Sequence, residues 1–253
     1  MGYSIAIASG KGGTGKSVIS TNLGVVLAKA GKNVLILDAD LKMANISLLM
    51  DLEYPEITLS EVLSGEADLK DAIYEKYGVR ILPAGIPLSK VKKARADRLE
   101  NVFKEITQSI DYLIIDTPPG LEVDAISALA GADNILLVVN PDVSSITDAF
   151  KIKKVSELLG THLLGLVINR IKYDVSELSV KEIEDVMESK AIGIIPEDHE
   201  VKRSVAFGVP FYIRNPQSLA SKALYRLSMN ILGRKENMIE SRKPYERLLR
   251  ILR

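Results

Sequence analysis

Short apolar runs rich in Val, Ile and Leu recur along the chain, and each is followed by a segment whose apolar residues have helical spacing. Strands that are apolar on both faces are typical of a parallel sheet covered by helices on each side. The pattern therefore predicts a doubly wound α/β fold with a mostly parallel sheet of seven or eight strands. The runs that predict strands are 4–8, 34–37, 79–82, 112–115, 135–139, 164–168 and 192–195.

A helix is predicted between the first two of these strands. Its apolar residues follow the i, i+4, i+7, i+8, i+11 spacing of a buried face, and Gly31 is expected to end it. They are Ile19, Leu23, Val26, Leu27 and Ala30. A βαβ unit therefore spans residues 4–37. Because no repeat or linker-like stretch precedes about residue 233, we expect one domain over 1–232 and a tail over 233–253.

Residues 10–17, Gly-Lys-Gly-Gly-Thr-Gly-Lys-Ser, follow the first strand and open this helix. They match the phosphate-binding pattern G-x-x-x-x-G-K-[ST] in the position that the pattern requires. Glycines let successive N–H groups turn toward phosphates, and the helix N-terminus adds the positive end of its dipole. We expect Lys16 to reach the β- and γ-phosphates and the Ser17 hydroxyl to bind Mg²⁺. The predicted phosphate-binding residues are Gly10, Lys11, Gly12, Gly13, Thr14, Gly15, Lys16 and Ser17.

Acidic residues follow two of the predicted strands. Asp38 and Asp40 come after the second strand, and Asp116 follows the run at 112–115. Ligands of open α/β sheets bind outside the carboxyl ends of the strands, so we expect all three side chains to point toward the nucleotide. Asp116 is the candidate for holding Mg²⁺, directly or through water. For any one of them alone, a turn-forming role is the alternative.

Composition narrows the functional classes. The 33 basic and 33 acidic residues balance, which gives no reason to expect nucleic-acid binding in general. The lack of cysteine excludes disulfides, cysteine-bound zinc and iron–sulfur clusters. The N-terminus has no basic region and is predicted to be a strand, and no apolar run approaches the roughly 20 residues of a membrane-spanning helix. We therefore expect a cytoplasmic protein.

The composition changes after Gly233. Residues 234–253 contain seven basic and three acidic residues, a net charge of +4, so the remainder carries −4. Pro244 is well placed to begin a helix over about 244–253, with charged residues opposite its apolar face. That apolar face consists of Tyr245, Leu248, Leu249, Ile251 and Leu252. A basic amphipathic helix at a chain end is typical of an interfacial membrane anchor; docking on its own body or on a partner subunit is the alternative.

The string Lys-Gly-Gly-Thr-Gly-Lys-Ser at 11–17 resembles the deviant Walker A motif of the MinD/ParA family of P-loop ATPases. In that family the early lysine, here Lys11, reaches across a dimer interface to the partner's phosphates. The resemblance therefore implies a slow ATP hydrolase, with Lys11, Lys16 and Asp40 as catalytic residues, that dimerises when ATP is bound. A surface lysine that only tunes the local charge is the alternative for Lys11.

The resemblance extends over nearly the whole chain. Asp-Ala-Asp at 38–40 resembles switch I of the family, and Asp-Thr-Pro-Pro-Gly at 116–120 resembles switch II. On that resemblance Asp40 orients the attacking water, Asp38 supports the metal region, and Gly120 lets its loop respond to the γ-phosphate. Asn45 corresponds to a switch I position that contacts partners.

Two further groups of residues look like family segments. Residues 140–148 resemble the segment that faces the dimer partner, where Asp148 would pair with Lys11. Asn169 with Arg170, and the segment from Pro196 to Asp198, look like the adenine-binding segments. Capping of a helix or turn is the alternative role for Asn169 and Asp198.

The resemblance implies a switch that uses ATP, ADP and Mg²⁺, forms an ATP-dependent homodimer and attaches to the inner face of the cell membrane through its tails. It would position cell-division or other components with an unidentified protein activator or cargo. The alternatives are a ParA-type DNA- or cargo-partitioning ATPase and a regulator of flagellar placement. DNA binding would need a basic surface, against which the charge of −4 outside the tail counts mildly, and no specific nucleic acid is expected.

Overall fold

The computed structural model describes residues 2–40, 45–52, 55–85 and 96–233. One eight-stranded sheet runs through them in the order β3-β4-β2-β5-β1-β6-β7-β8. All neighbouring strands are parallel except β3 and β4. The strands are β1 Tyr3–Ala8, β2 Val34–Asp38, β3 Tyr74–Lys76, β4 Val79–Pro83, β5 Tyr112–Asp116, β6 Asn134–Val139, β7 His162–Ile171 and β8 Ala191–Pro196. The predicted fold class is therefore confirmed, and β3 is the strand that the pattern did not predict.

Helices cover both faces of this sheet. They are α1 Lys16–Lys29, α2 Asn45–Leu49, α3 Leu59–Ser64, α4 Ala96–Ser109, α5 Val123–Ala130, α6 Val143–Leu159, α7 Val180–Met187, α8 His199–Ala206, α9 Phe211–Arg214 and α10 Leu219–Gly233, with a 3-10 helix at Leu69–Ala72. Alternate residues of β1 enter two separate cores. Ala6 and Ala8 pack toward α3 to α7, whereas Ile5 and Ile7 pack toward α1, α9 and α10.

Helix α1 fills the predicted place between β1 and β2. Ile19, Leu23, Val26 and Leu27 are buried as predicted, but Ala30 is exposed because it is the capping residue that follows the last turn. Gly31 then leaves the helix with a φ of +77°. The rest of α1 is buried almost all round, so the helix lies in the interior and ties the phosphate-binding loop to the core.

In the described part of the chain, no helix combines the length and apolar character needed to cross a bilayer. The predicted terminal helix at 244–253, with Tyr245, Leu248, Leu249, Ile251 and Leu252, lies outside the described residues. What the structure does give is the point from which the tail continues, the end of α10 at Gly233.

Candidate functional site

The loop between β1 and α1 follows a path that only glycine permits at two positions. Gly15, the residue that caps α1, has a φ of +98°, and a Cβ there would lie 2.4 Å from Nδ2 of Asn169. A Cβ on Gly10 would lie 2.3 Å from Cβ of Asp148 and 2.4 Å from its carbonyl carbon. A side chain would therefore push the loop off β7 at one end and off α6 at the other.

The outer part of the same loop is open. Apart from the adjoining residues of the chain, no atom of the described residues lies within 4 Å of a Cβ built on Gly12 or Gly13. The first turn of α1 contains no acidic residue, so its positive end is available to an anion. The Thr14 hydroxyl is buried without a hydrogen-bond partner in the described chain. Such an orphaned donor beside a helix N-terminus fits a phosphate oxygen as its missing acceptor.

Two predicted carboxylates meet at the carboxyl edge of the sheet. Asp38 and Asp116 are register partners on β2 and β5. One Asp116 oxygen accepts a hydrogen bond from Oγ of Ser20 at 2.8 Å, and the carboxylate also accepts from the Ser17 hydroxyl. The other oxygen, Oδ2, is buried with no partner among the described residues. The buried Lys16 ammonium interacts electrostatically with Asp116 and with Asp40.

Burial shifts the acid–base properties of this group. It raises the pKa of Asp116 to about 6, although hydrogen bonds from Ser17 and Ser20 and the charge of Lys16 act in the opposite direction. Burial, and then the Asp116 charge, raises the pKa of Asp38 well above its usual range. Burial also lowers the pKa of Lys16, against the attraction of Asp116 and Asp40. The site therefore brings several ionisable side chains close together where water does not solvate their charges.

The donors present fit Mg²⁺. The Ser17 hydroxyl and the unpartnered Asp116 oxygen are hard oxygen ligands, and Mg²⁺ usually keeps several waters and takes phosphate oxygens rather than an all-protein cage. No three His, Cys, Asp or Glu side chains of the described ranges converge into a ready-made metal site. Asp38 acts less directly, because its carboxylate accepts the backbone N–H of Asp40 at 3.2 Å and that of Ile46. It thereby ties Asp40 to the start of α2.

Switch II contacts the phosphate-binding loop through backbone atoms. The N–H of Gly120 donates to the carbonyl of Ser9 at 3.0 Å, and Gly120 has a φ of +80°. The Ser9 hydroxyl in turn donates to the carbonyl of Lys11 at 2.8 Å. A displacement of Gly120 would therefore be felt at the first residues of the loop. Asn45, predicted to contact partners, begins α2 and is half-buried.

Lys11 has a partner within its own chain. Its Nζ lies 2.9 Å from Oδ1 of Asp142, and the two side chains are 35% and 47% exposed. Asp142 also caps α6 by accepting the N–H of Ser145 at 2.8 Å. Asp148 instead pairs with Lys151 at 2.9 Å. The Lys11–Asp148 pair expected from the resemblance is thus not formed within the single chain, although Asp148 lies against the loop at Gly10.

A cavity of about 240 Å³ opens beside the loop, between β7, β8 and α8. Asn169, Arg170, Pro196 and Asp198, the four residues predicted to bind adenine, all line it. Asn169 donates from Nδ2 to the carbonyl of Thr14 at 2.7 Å, which orients the amide and leaves its oxygen for a donor such as an exocyclic amine. Apolar walls come from Val18, Ile195, Val201 and Phe211.

Asp198 and Arg170 were predicted to bind adenine, but their side chains have other surroundings in the structure. The Asp198 carboxylate accepts the N–H of Glu200 at 2.9 Å and that of Ala220 at 3.0 Å, so it caps α8 and the start of α10. Burial raises the pKa of Asp198, but these hydrogen bonds outweigh it and the net shift is downward. The capping alternative therefore describes its carboxylate. Arg170 has a φ of +60° at a register shift between β7 and β8, and its side chain is exposed.

Sequence reasoning missed Ser20. Its hydroxyl holds the Asp116 carboxylate, and it lies three residues after Ser17 and four after Lys16. Residues with this spacing share one face of a helix, so helical periodicity from the predicted Mg²⁺ ligand could have found it.

Comparisons with known proteins agree with this geometry. Residues 2–164 match a family described as an AAA domain. An uncharacterised ATP-binding protein of Methanocaldococcus jannaschii is 47% identical over 236 residues, which cover 93% of this chain and 89% of that protein. The structure of the cell division ATPase MinD of Pyrococcus furiosus superposes with a TM-score of 0.83 at 39% identity, over 92% of this chain and 99% of that one.

A second solved structure is the septum site-determining protein MinD of Pyrococcus horikoshii, complexed with Mg-ADP. It has a TM-score of 0.82 at 36% identity and covers 91% of this chain and 96% of its own. The motif, the strand order and the buried carboxylates therefore agree with likenesses that span nearly the full chain. The chain belongs to the MinD/ParA family of P-loop ATPases, among its MinD-like members.

Proposed function

We propose that this MinD-like ATPase is a Mg²⁺-dependent switch that dimerises with ATP, attaches to the inner face of the cell membrane through its tails and positions cell-division or other components. The observation that carries the proposal is the buried cluster at the loop and the ends of β2 and β5. There, Asp116 keeps one oxygen without a partner in the described chain. The pKa values of Asp116 and Asp38 are raised and that of Lys16 is lowered, so each shift favours the uncharged form of the side chain. A bound triphosphate and cation would complete this charge balance.

Different residues would bind the phosphates, the Mg²⁺ ion, the attacking water and the adenine. The loop N–H groups, the Thr14 hydroxyl and Lys16 would hold the phosphates, while Ser17 and Asp116 would hold Mg²⁺, which supplies charge neutralisation when bound. Asp40 would orient water at the γ-phosphate, and Asn169 would accept from the adenine amine. Beyond Asp40 and a partner's Lys11, no described side chain stands out to stabilise the transition state, so hydrolysis should be slow.

Dimerisation would recruit Lys11. Its ion pair with Asp142 is half-exposed, and pairs of that kind contribute only ~0.2–1 kcal/mol. A partner's phosphates could therefore displace Asp142 at small cost. Lys11, Asp142 and Asp148 all lie where α6 meets the loop, which supports this surface as the one that faces the second subunit.

Membrane attachment would come from the terminal helix at 244–253. Burying its five apolar side chains contributes a gross ~7–15 kcal/mol, whereas ordering about nine residues costs ~13 kcal/mol, so a single tail should bind weakly. Two tails on one dimer gain ~10²–10⁴ in effective affinity. ATP would thus control attachment by joining two chains, and the protein would move between the cytoplasm and the inner membrane face.

Three variants separate the parts of this proposal. Calorimetry on the wild type should show affinity for ATP that needs Mg²⁺, and its absence would end the proposal. By size exclusion with a non-hydrolysable ATP analogue, Asp40→Ala should dimerise without turnover and Lys11→Ala should stay monomeric while still binding nucleotide. A chain ending at residue 233 should dimerise yet fail to pellet with liposomes. Normal dimerisation of Lys11→Ala would exclude the cross-subunit role, and equal pelleting of the shortened chain would exclude the tail.

A further inference from the structure

The surface formed by α9 and the first half of α10 contains a second concavity, with a volume of about 420 Å³. It is lined by Tyr212, Pro216, Gln217, Lys222, Tyr225 and Arg226, and we call it the α10 pocket. None of these six residues lines the nucleotide cavity. The volume lies within the range of small-ligand sites.

The chemistry of the α10 pocket is cationic. Lys222 and Arg226 are four residues apart on α10, so their like charges lie on one helix face and repel each other. In the described ranges, neither forms an ion pair, and no carboxylate lines the pocket. Two tyrosines and Gln217 add hydroxyl and amide donors. An ammonium, a guanidinium and neutral donors around one hollow suit an oxyanion.

Neighbouring basic residues have carboxylate partners. Lys202 pairs with Glu197 at 3.0 Å, Arg203 pairs with Glu200 at 2.9 Å, and Arg214 lies 3.6 Å from the same glutamate. Among the basic residues of α9 and α10, Lys222 and Arg226 are therefore the two that have no carboxylate partner in the described ranges. A nucleic-acid duplex needs a row of cations along its backbone, whereas two adjacent cations are enough to bind one phosphate group.

We propose that the α10 pocket binds the phosphate of an anionic phospholipid headgroup. This inference rests on the membrane attachment proposed above and adds to it a contact with the lipid headgroup. The tail continues from α10 at Gly233, seven residues after Arg226, which corresponds to about 10 Å of helix. The predicted membrane helix begins at Pro244, after ten intervening residues, and ten residues span at most ~35 Å. Insertion of that helix would keep the pocket within reach of the headgroup layer, where basic side chains attract anionic lipids.

The test is co-sedimentation of the full chain with ATP on two kinds of vesicle, phosphatidylcholine alone and phosphatidylcholine mixed with phosphatidylglycerol. The double variant Lys222→Gln/Arg226→Gln should bind the mixed vesicles about thirtyfold more weakly than the wild type, because two charges are lost near the surface. Its ATP hydrolysis, its melting temperature and its binding to phosphatidylcholine should stay at wild-type levels. Tyr225→Phe keeps the ring and should cause a smaller loss in the same direction.

The control is Lys181→Gln compared with Lys222→Gln. Lys181 is also an exposed lysine without an ion pair in the described chain, but it lies on α7, across the sheet from α10. Equal losses in these two variants would mean general charge attraction and would overturn the pocket. If inorganic phosphate or duplex DNA bound the wild type but not the double variant, and vesicle binding was unchanged, a lipid headgroup would be the wrong ligand.

The two proposals fail in different ways. If the wild type pellets with mixed vesicles and the double variant pellets equally, the α10 pocket is wrong and tail attachment stands. If the wild type pellets with neither kind of vesicle, attachment itself is wrong and the headgroup site is overturned with it.

Discussion

A negative charge on Asp116 destabilises the nucleotide-free chain. Its carboxyl group is fully buried, and its pKa rises from an ordinary 3.8 to about 6. Between these values the folded chain binds a proton that the unfolded chain has already released. Stability therefore falls as pH rises from about 4 to about 6 and stays reduced above that window. The raised pKa of Asp38 acts in the same direction.

Asp116→Asn should consequently stabilise the nucleotide-free protein. The amide keeps an oxygen to accept from Ser20 but carries no charge, so the free energy of unfolding at pH 7 should increase by on the order of 1–3 kcal/mol. Denaturant unfolding measured from pH 4 to pH 8 would also show a flatter slope between pH 4 and 6. ATP hydrolysis should be lost. A variant less stable than the wild type at pH 7 would contradict this account of the site.

Two glycines of the loop provide a matched pair. Gly10→Ala should lower the free energy of unfolding by ~1–3 kcal/mol or more, because the new methyl group meets Cβ and the backbone of Asp148. Gly12→Ala adds the same group where the surroundings are open, and its melting temperature should match the wild type. Thermal unfolding without nucleotide distinguishes them. Equal melting temperatures would show that α6 does not press on the loop at Gly10.

At the scale of elements, the apolar pattern predicted the strands that are buried on both faces and missed the one that is not. β3 is only Tyr-Glu-Lys, lies at the sheet edge and pairs antiparallel with β4. Its stability depends on contacts far along the chain, such as the Tyr74 hydroxyl that bonds to both backbone groups of Ile57. A short polar segment that is fixed by such contacts has no periodic signal.

Part of the candidate site, like part of the fold, could be predicted from the sequence, and part could not. The loop and the aspartates were predictable because short motifs and strand ends specify them. The contacts from Asn169 to Thr14 and from Lys11 to Asp142 were not, because they depend on β6 and β7 following β1 in the sheet. Strand order is set by packing across the whole chain, and the spacing of residues along the sequence does not contain it.

Asp198 joins two elements, and its replacement should loosen both. Asp198→Ala removes acceptors for the N–H groups of Glu200 and Ala220 and should cost ~1–2 kcal/mol in unfolding free energy. Asp198→Asn keeps one acceptor oxygen and should fall between. Because α8 forms a wall of the nucleotide cavity, affinity for ATP should fall in the same order, measured by calorimetry beside the melting curves. An Asn variant as weak as the Ala variant would mean that the charge, and not the cap, matters.

At the scale of the whole molecule, α10 runs along the sheet from the edge that holds the candidate nucleotide cavity to the opposite edge. Its first residues are held by Asp198, at the carboxyl end of β8, and Asn230 near its other end donates to the carbonyl of Ile192, at the start of that strand. The tail therefore continues from the edge opposite the nucleotide. The last described residue and the candidate nucleotide cavity thus lie at opposite ends of α10, which fits the proposal that dimerisation links the nucleotide to the membrane.

If Lys11 acts only on a partner's phosphates, hydrolysis should depend on meeting that partner. ATP turnover per chain should then rise with protein concentration and level off once dimers form, whereas a self-sufficient site would give a constant value. Mixing Lys11→Ala with Asp40→Ala tests this further. In the mixed dimer, the Lys11→Ala chain keeps Asp40 and receives a lysine from its partner, so one of the two sites is complete. The mixture should therefore regain up to half of the wild-type activity, although each variant alone is inactive. A constant turnover per chain, together with no recovery on mixing, would mean that Lys11 works within its own subunit.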